Sequence, residues 1–329
     1  MRDFFVVQPS AHRIQFIDIM RGVAVVVMVM GHSIDSVLSL DVRATEAFRL
    51  YDAVRGFTAP IFLFVAGFAF TIVTQRRWLE YKSFSPALRS RLLKILLLLL
   101  VGYALHLPFF SLNKLLHETK PEEYAQLFQV DVLHCVAVSI LMLQAMVFLA
   151  RSPKAFGLSV TAATGLIVLA TPYIWSVDFG PLVSSVLAPY LNQARASIFP
   201  VFPYSGFMLA GAAIAHYFLV AQKEGREKRF FNGVLTFALV TAVCGIVFDL
   251  LPITLYPPHD YWKASPNFFL LRLSAVLLVT AGFFFVQRLP SVLEHPVQSL
   301  GQASLLVYAV HLVIVYGSAA NEGLQQVVG

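Results

Sequence analysis

The chain has 329 residues, of which 58% are hydrophobic and only 13% charged, with a formal net charge of +6. A soluble domain carries about 25% charged residues, so a soluble enzyme is excluded; the excess of Lys and Arg also lacks the basic and aromatic pattern that nucleic acid requires. The two cysteines, Cys135 and Cys244, have no CxxC partner and imply neither a disulfide framework nor a metal site.

A helix needs roughly 20 apolar residues to cross a bilayer, and about nine such runs (range 8–11) follow one another at 16–38, 57–74, 92–110, 131–150, 156–175, 198–220, 231–251, 268–287 and 301–319. The first run is long and lacks a small-residue cleavage site, so it reads as a retained helix rather than a signal peptide. Pro200 and Pro203 predict a broken or kinked first turn in the sixth. The spans consume nearly the whole chain. The expectation is therefore a single integral-membrane domain over 1–329, an all-α polytopic helix bundle. Lys and Arg concentrate in the segments that are cytoplasmic if the N-terminus is inside, which places the C-terminus outside.

The first span, IDIMRGVAVVVMVMGHSID, carries charges inside an apolar run. At 100° per residue, Asp18, Arg21, His32, Asp35 and Ser36 fall within about 100° of one another, and Arg21 and His32 stand roughly 16 Å apart along the axis. An ionisable group at the bilayer centre costs at least ~2.5 kcal/mol and usually lines a cavity or finds a partner. Asp18 and Arg21 read either as an interfacial i, i+3 anchor or as part of a site. His32 has no anchoring role, and Asp35 one turn on is expected to orient its ring.

Other spans add polar groups. Asp131 and His134, in DVLHC, are i, i+3 at the outer end of the fourth, and Arg272 lies in the outer part of the eighth. Tyr308 and His311, in YAVHL, share a face of the last, while His259 and Asp260 precede the eighth. On the inner side RSRLLK supplies Arg89, Arg91 and Lys94, most of whose charge the positive-inside rule explains. His106 and His216 read as helix–helix hydrogen-bonders.

Five blocks then look familiar: RIQFIDIMRGVAVVVMVMGH at 13–32, FTAPIFLFVAGFAF at 57–70, DVLHCVAVSILML at 131–143, SPNFFLLRLSAVLL at 265–278 and LGQASLLVYAVHLVIVY at 300–316. They resemble bacterial relatives of the catalytic domain of heparan-α-glucosaminide N-acetyltransferase. More distantly, Arg21 with His32, and the basic RSRLLK, resemble the Arg-x10-His and Arg-x-x-Arg patterns of acyltransferase-3 proteins. The resemblance implies acyl transfer from cytoplasmic acyl-CoA, acetyl-CoA in the simplest case, to a sugar or glycan amine or hydroxyl across a bacterial inner membrane. Two positions depart from the patterns. Residues 39–56 hold no histidine where the eukaryotic relatives have theirs, and Lys94 stands for the second arginine.

On that reading Asp18, Arg21, Arg89, Arg91 and Lys94 hold the donor's phosphates. His32 is the general base, Asp35 its orienter and Arg272 an oxyanion donor, while Asp131, His134, Tyr308 and His311 are further polar candidates. No metal is expected, and membrane lipid surrounds the chain. No dimer seam is visible, which leaves a homo-oligomer open. The rival readings are a proton-coupled transporter, because embedded Asp, His and Arg also serve proton relays, and a non-catalytic membrane subunit.

Overall fold

The computed structural model describes residues 14–107, 113, 117, 127–195, 197–251, 255–286 and 291–316. The regular elements among them are helices: α1 (Gln15–Val37), α2 (Leu40–Arg43), α3 (Glu46–Arg55), α4 (Thr58–Arg76), α5 (Trp78–Tyr81), α6 (Pro86–Leu105), α7 (Val132–Leu149), α8 (Pro153–Trp175), α9 (Val201–Lys223), α10 (Glu227–Leu250), α11 (Tyr261–Ala264), α12 (Pro266–Val286), α13 (Ser291–Gln302) and α14 (Ser304–Tyr316). Among the described residues, seven helical stretches are long and apolar enough to cross a membrane, with Glu46–Arg76 running as one. The pair α13 and α14 makes an eighth, bent by 84°. The chain is an all-α polytopic membrane protein.

Two of the expected spans differ in detail. The run at 92–110 belongs to α6, whose first half carries Arg89, Arg91 and Lys94, so it falls outside that group of uniformly apolar helices. The run at 301–319 is not straight: helix begins upstream at Ser291 and turns sharply between Gln302 and Ser304. The final residues of both expected spans lie outside the described residues.

Helix starts follow local chemistry. Thr45, Ser85 and Ser152 each accept a hydrogen bond from a first-turn amide, of Phe48, Leu88 and Ala155. Pro86 and Pro153 occupy first helical positions, where a missing N–H costs nothing. Gly225, with φ of 64°, ends the turn after α9 in a conformation that suits glycine. The kink expected near Pro203 lies at Phe202, with φ −96° and ψ 118° inside the helix.

The chain divides into two compact units, residues 1–62 with 279–329 and residues 63–278. In the first, α1 packs along α13 and α14. A Cβ on Gly22 would overlap the Val297 carbonyl, and one on Gly301 would overlap the Asp18 carbonyl. The two glycines let α1 and α13 touch backbone to backbone, the small-residue packing that membrane helices use where lipid removes the hydrophobic drive.

In the second unit α9 is central, with 83% of its span buried, whereas α10 buries 22% and leaves Leu239, Val243, Ile246 and Leu250 exposed. The same apolar composition thus serves a packed core and a lipid-facing surface. The crossing of α9 with α4 is reciprocal: a Cβ on Gly67 would strike the Met208 carbonyl and one on Gly211 the Phe64 carbonyl.

Candidate active site

The first unit gathers an imidazole pair. His32, half-buried in the last turns of α1, places Nδ1 3.2 Å from the Tyr316 hydroxyl at the end of α14. Its ring lies 5.3 Å from that of His311, centroid to centroid. The His311 Nδ1 donates to the Val307 carbonyl at 2.8 Å, which leaves the lone pair on Nε2. That nitrogen is buried without a hydrogen-bond partner among the described residues. Tyr308 stands edge-on to His311 at 5.6 Å, and both side chains are buried. The bend after α13 is what brings His311 and Tyr316 onto the face of α1 that carries His32. A shallow apolar groove of about 280 Å³, lined by Val29, Leu306, Val310 and Ile314, passes His311.

Asp35 was expected to hold the His32 ring, and here the structure corrects the reading. Its carboxylate is taken by the guanidinium of Arg55 on α3, which also bonds Asp52 at 2.5 Å. A forked cation competes for a carboxylate better than a neutral imidazole does. Arg43 closes the same corner by donating to the carbonyls of Asp35 and Leu38. Asp35 therefore ties α1 to α2 and α3, and the partner of His32 is a phenol. Arg55, Tyr51 and Tyr316 carry no sequence signal of this kind, because each reaches α1 from another helix at no fixed spacing. Asp18 and Arg21, near the start of α1, are half-buried and engaged with neighbours.

The second unit holds the other predicted residues. The basic set on α6 splits. Arg89 and Lys94 are exposed, whereas Arg91 turns inward and donates to Gln144 at 2.7 Å and Thr74 at 2.9 Å. Its guanidinium lies 3.5 Å from the Tyr81 ring centroid and 4.2 Å from that of Phe70. This is a structural tie, and it sets Arg91 apart from the phosphate-binding role expected for it. A groove of about 460 Å³ at the start of α6 is lined by Phe84, Ser85, Pro86, Leu88, Arg89 and Leu92. Arg272 stacks its guanidinium 4.3 Å from the Phe268 ring and reaches the Tyr204 phenol.

Asp131 is the N-cap of α7, accepting from the amides of Leu133 at 2.8 Å and His134 at 3.1 Å. His134 closes the capping box and meets the Asp131 carboxylate through Nδ1 at 2.7 Å. The ring is fully buried against Tyr103, 4.3 Å away, and Tyr103 shares a 2.8 Å hydrogen bond with Tyr190. Burial, and then the Tyr103 hydroxyl, push the Tyr190 phenol well above its ordinary pKa. A glycine at 102 admits the imidazole, since a Cβ there would lie 2.6 Å from its Cε1.

His216 bonds Gln75 across helices at 2.8 Å, as a helix–helix hydrogen-bonder should. His106 instead bonds the Gly102 carbonyl of its own helix. His259 bonds the Pro257 carbonyl, and Asp260 caps α11. Among the described residues no three His, Cys, Asp or Glu are placed to hold a metal ion.

No curated protein matches the chain. A family model described as an acyltransferase domain matches residues 14–321, which includes the whole of α1, α13 and α14. The match favours group transfer over carriage, and with it the chain belongs to the acyltransferase-3 family of membrane acyltransferases.

Proposed function

We propose that the protein moves an acetyl or other short acyl group from cytoplasmic acyl-CoA to an amine or hydroxyl of a sugar or glycan on the extracytoplasmic side of a bacterial inner membrane, as the resemblance to relatives of heparan-α-glucosaminide N-acetyltransferase implies. The observation that carries this reading is the placement of His32. It sits inside an apolar helix, half-buried, against Tyr316 and a second imidazole, within a chain of acyltransferase family. Arg21, three turns from His32 on the same face of α1, suits a donor phosphate; in the second unit the exposed Arg89 and Lys94 carry the same charge. Asp18 shares that end of α1.

The chemistry is a balanced exchange. His32 takes the proton from the acceptor N–H or O–H as that atom attacks the thioester carbonyl. The carbonyl π pair moves to oxygen, the tetrahedral intermediate collapses, and the C–S bond breaks. The proton then passes from His32 to the leaving thiolate. Tyr316, at hydrogen-bond distance from Nδ1, fixes the ring so that Nε2 meets the acceptor. The Asp35–Arg55–Asp52 cluster holds the outer end of α1 in register with α3.

The test is labelled acetyl-CoA with a panel of amino sugars and glycans, added to protein in nanodiscs. Wild type is expected to yield labelled product, and His32→Gln to lower the rate by about 10²–10⁴, the usual worth of a positioned general base. Wild-type transfer that survives unchanged in folded His32→Gln overturns the assignment.

A further inference from the structure

Acyl transfer as proposed above develops negative charge on the thioester oxygen, and that charge needs a donor close to His32. Arg272 was the candidate read from sequence, but its guanidinium is engaged with Phe268 and Tyr204 in the second unit. Within the first unit, Arg55 spends its fork on Asp35 and Asp52. Tyr316 accepts from His32 Nδ1–H, at the ring nitrogen other than the Nε2 that meets the acceptor.

A second hydroxyl in this neighbourhood comes from α3. The Tyr51 Oη of α3 is buried and has no hydrogen-bond partner among the described residues. Buried polar groups are nearly always satisfied, and leaving one unmade costs about 1–3 kcal/mol of desolvation. Tyr51 stands over α1 at Gly31, the residue before His32. A Cβ on Gly31 would lie 2.8 Å from Arg55 Cδ, so the glycine leaves room for the Arg55 side chain, and it would lie 3.7 Å from the Tyr51 hydroxyl, an ordinary contact. The Arg55 guanidinium, paired to Asp35 and Asp52, is 5.9 Å from the Tyr51 ring centroid.

We infer that the Tyr51 hydroxyl donates the hydrogen bond that stabilises the acyl oxyanion formed when the acceptor attacks the thioester. The inference rests on the acyl-transfer reading. In the attack the new C–N or C–O bond forms while the carbonyl pair moves to oxygen, and Tyr51 O–H bonds that oxygen without giving up its proton. When the C–S bond breaks, the pair returns to the carbonyl and the hydroxyl is released. Nothing is oxidised or reduced, and Tyr51 ends as it began.

The experiment compares wild type with Tyr51→Phe in nanodiscs, measuring kcat and KM for acyl-CoA together with direct acyl-CoA binding. Phenylalanine keeps the ring over Gly31, so packing is retained. Loss of one oxyanion donor is expected to lower kcat by about 10²–10³ while KM and binding stay within about twofold. Replacement of Tyr51 by 3-fluorotyrosine, a stronger hydrogen-bond donor of the same shape, is expected to keep kcat at or above the wild-type value, which a purely structural role would not require. Transfer by Tyr51→Phe within about twofold of wild type overturns the inference and leaves the acyl-transfer reading standing. Absence of transfer by wild type with every donor and acceptor overturns both.

Discussion

At the scale of single residues, type and role part company. Arg89 and Arg91 are two positions apart on α6, yet one faces out and the other is clamped between two aromatic rings with two hydrogen bonds. Hydrogen bonds from a charged group are worth about 1.5–3 kcal/mol each, and a partner left bare in the interior costs more. Arg91→Leu is therefore expected to lower the apparent Tm of the detergent-solubilised protein by several degrees, whereas Arg89→Leu leaves it nearly unchanged and raises KM for acyl-CoA. Thermal unfolding beside steady-state kinetics on both variants separates the two roles. The pairing of Asp35 with Arg55 rather than His32 has the same lesson. A helical spacing of three identifies a neighbour, but the strongest donor within reach decides the bond.

At the scale of elements, close approach matters more than hydrophobicity. Lipid is as apolar as leucine, so α1 and α13 gain little from burying aliphatic chains against each other. Gly22 and Gly301 supply contact instead, backbone against carbonyl. Gly22→Val adds three carbons where no space exists, and overpacking of this kind costs about 1–3 kcal/mol or more. The expected result is a lower apparent Tm together with reduced activity, because α13 and α14 carry His311 and Tyr316 to His32. Gly233→Ala, on α10 where a Cβ meets no atom within 4 Å, is the control and is expected to match wild type in both measurements.

At the scale of the whole molecule, the governing force is the bilayer. Basic residues cluster in segments that the positive-inside rule assigns to the cytoplasm, including the stretch from Arg76 to Lys94. With the N-terminus inside, a cysteine placed at exposed Ser83 is expected to react with an impermeant maleimide only in inverted vesicles, and one placed at exposed Asp178 only in right-side-out cells. The background is Cys244→Ala, since Cys135 is fully buried. Labelling of Ser83→Cys from outside would reverse the orientation and with it the proposed cytoplasmic origin of the acyl donor.

The sequence alone determined the membrane class, the helical architecture and most of the spans, because each depends on local composition: a run of twenty apolar residues must cross or be buried wherever it lies. It also singled out His32 and His311, since ionisable groups in such runs are costly and stand out. The kink after Pro200 was legible for the same reason, as proline removes a donor whatever surrounds it. Only the tertiary structure decided the partners. The bend between Gln302 and Ser304 brings His311 and Tyr316 to His32, the α1–α3 turn brings Arg55 to Asp35 and Tyr51 to Gly31, and inward packing of α6 withdraws Arg91 from its basic neighbours. These contacts join residues 20 to 284 positions apart. They are set by helix crossings and by competition among donors, neither of which leaves a periodic mark along the chain.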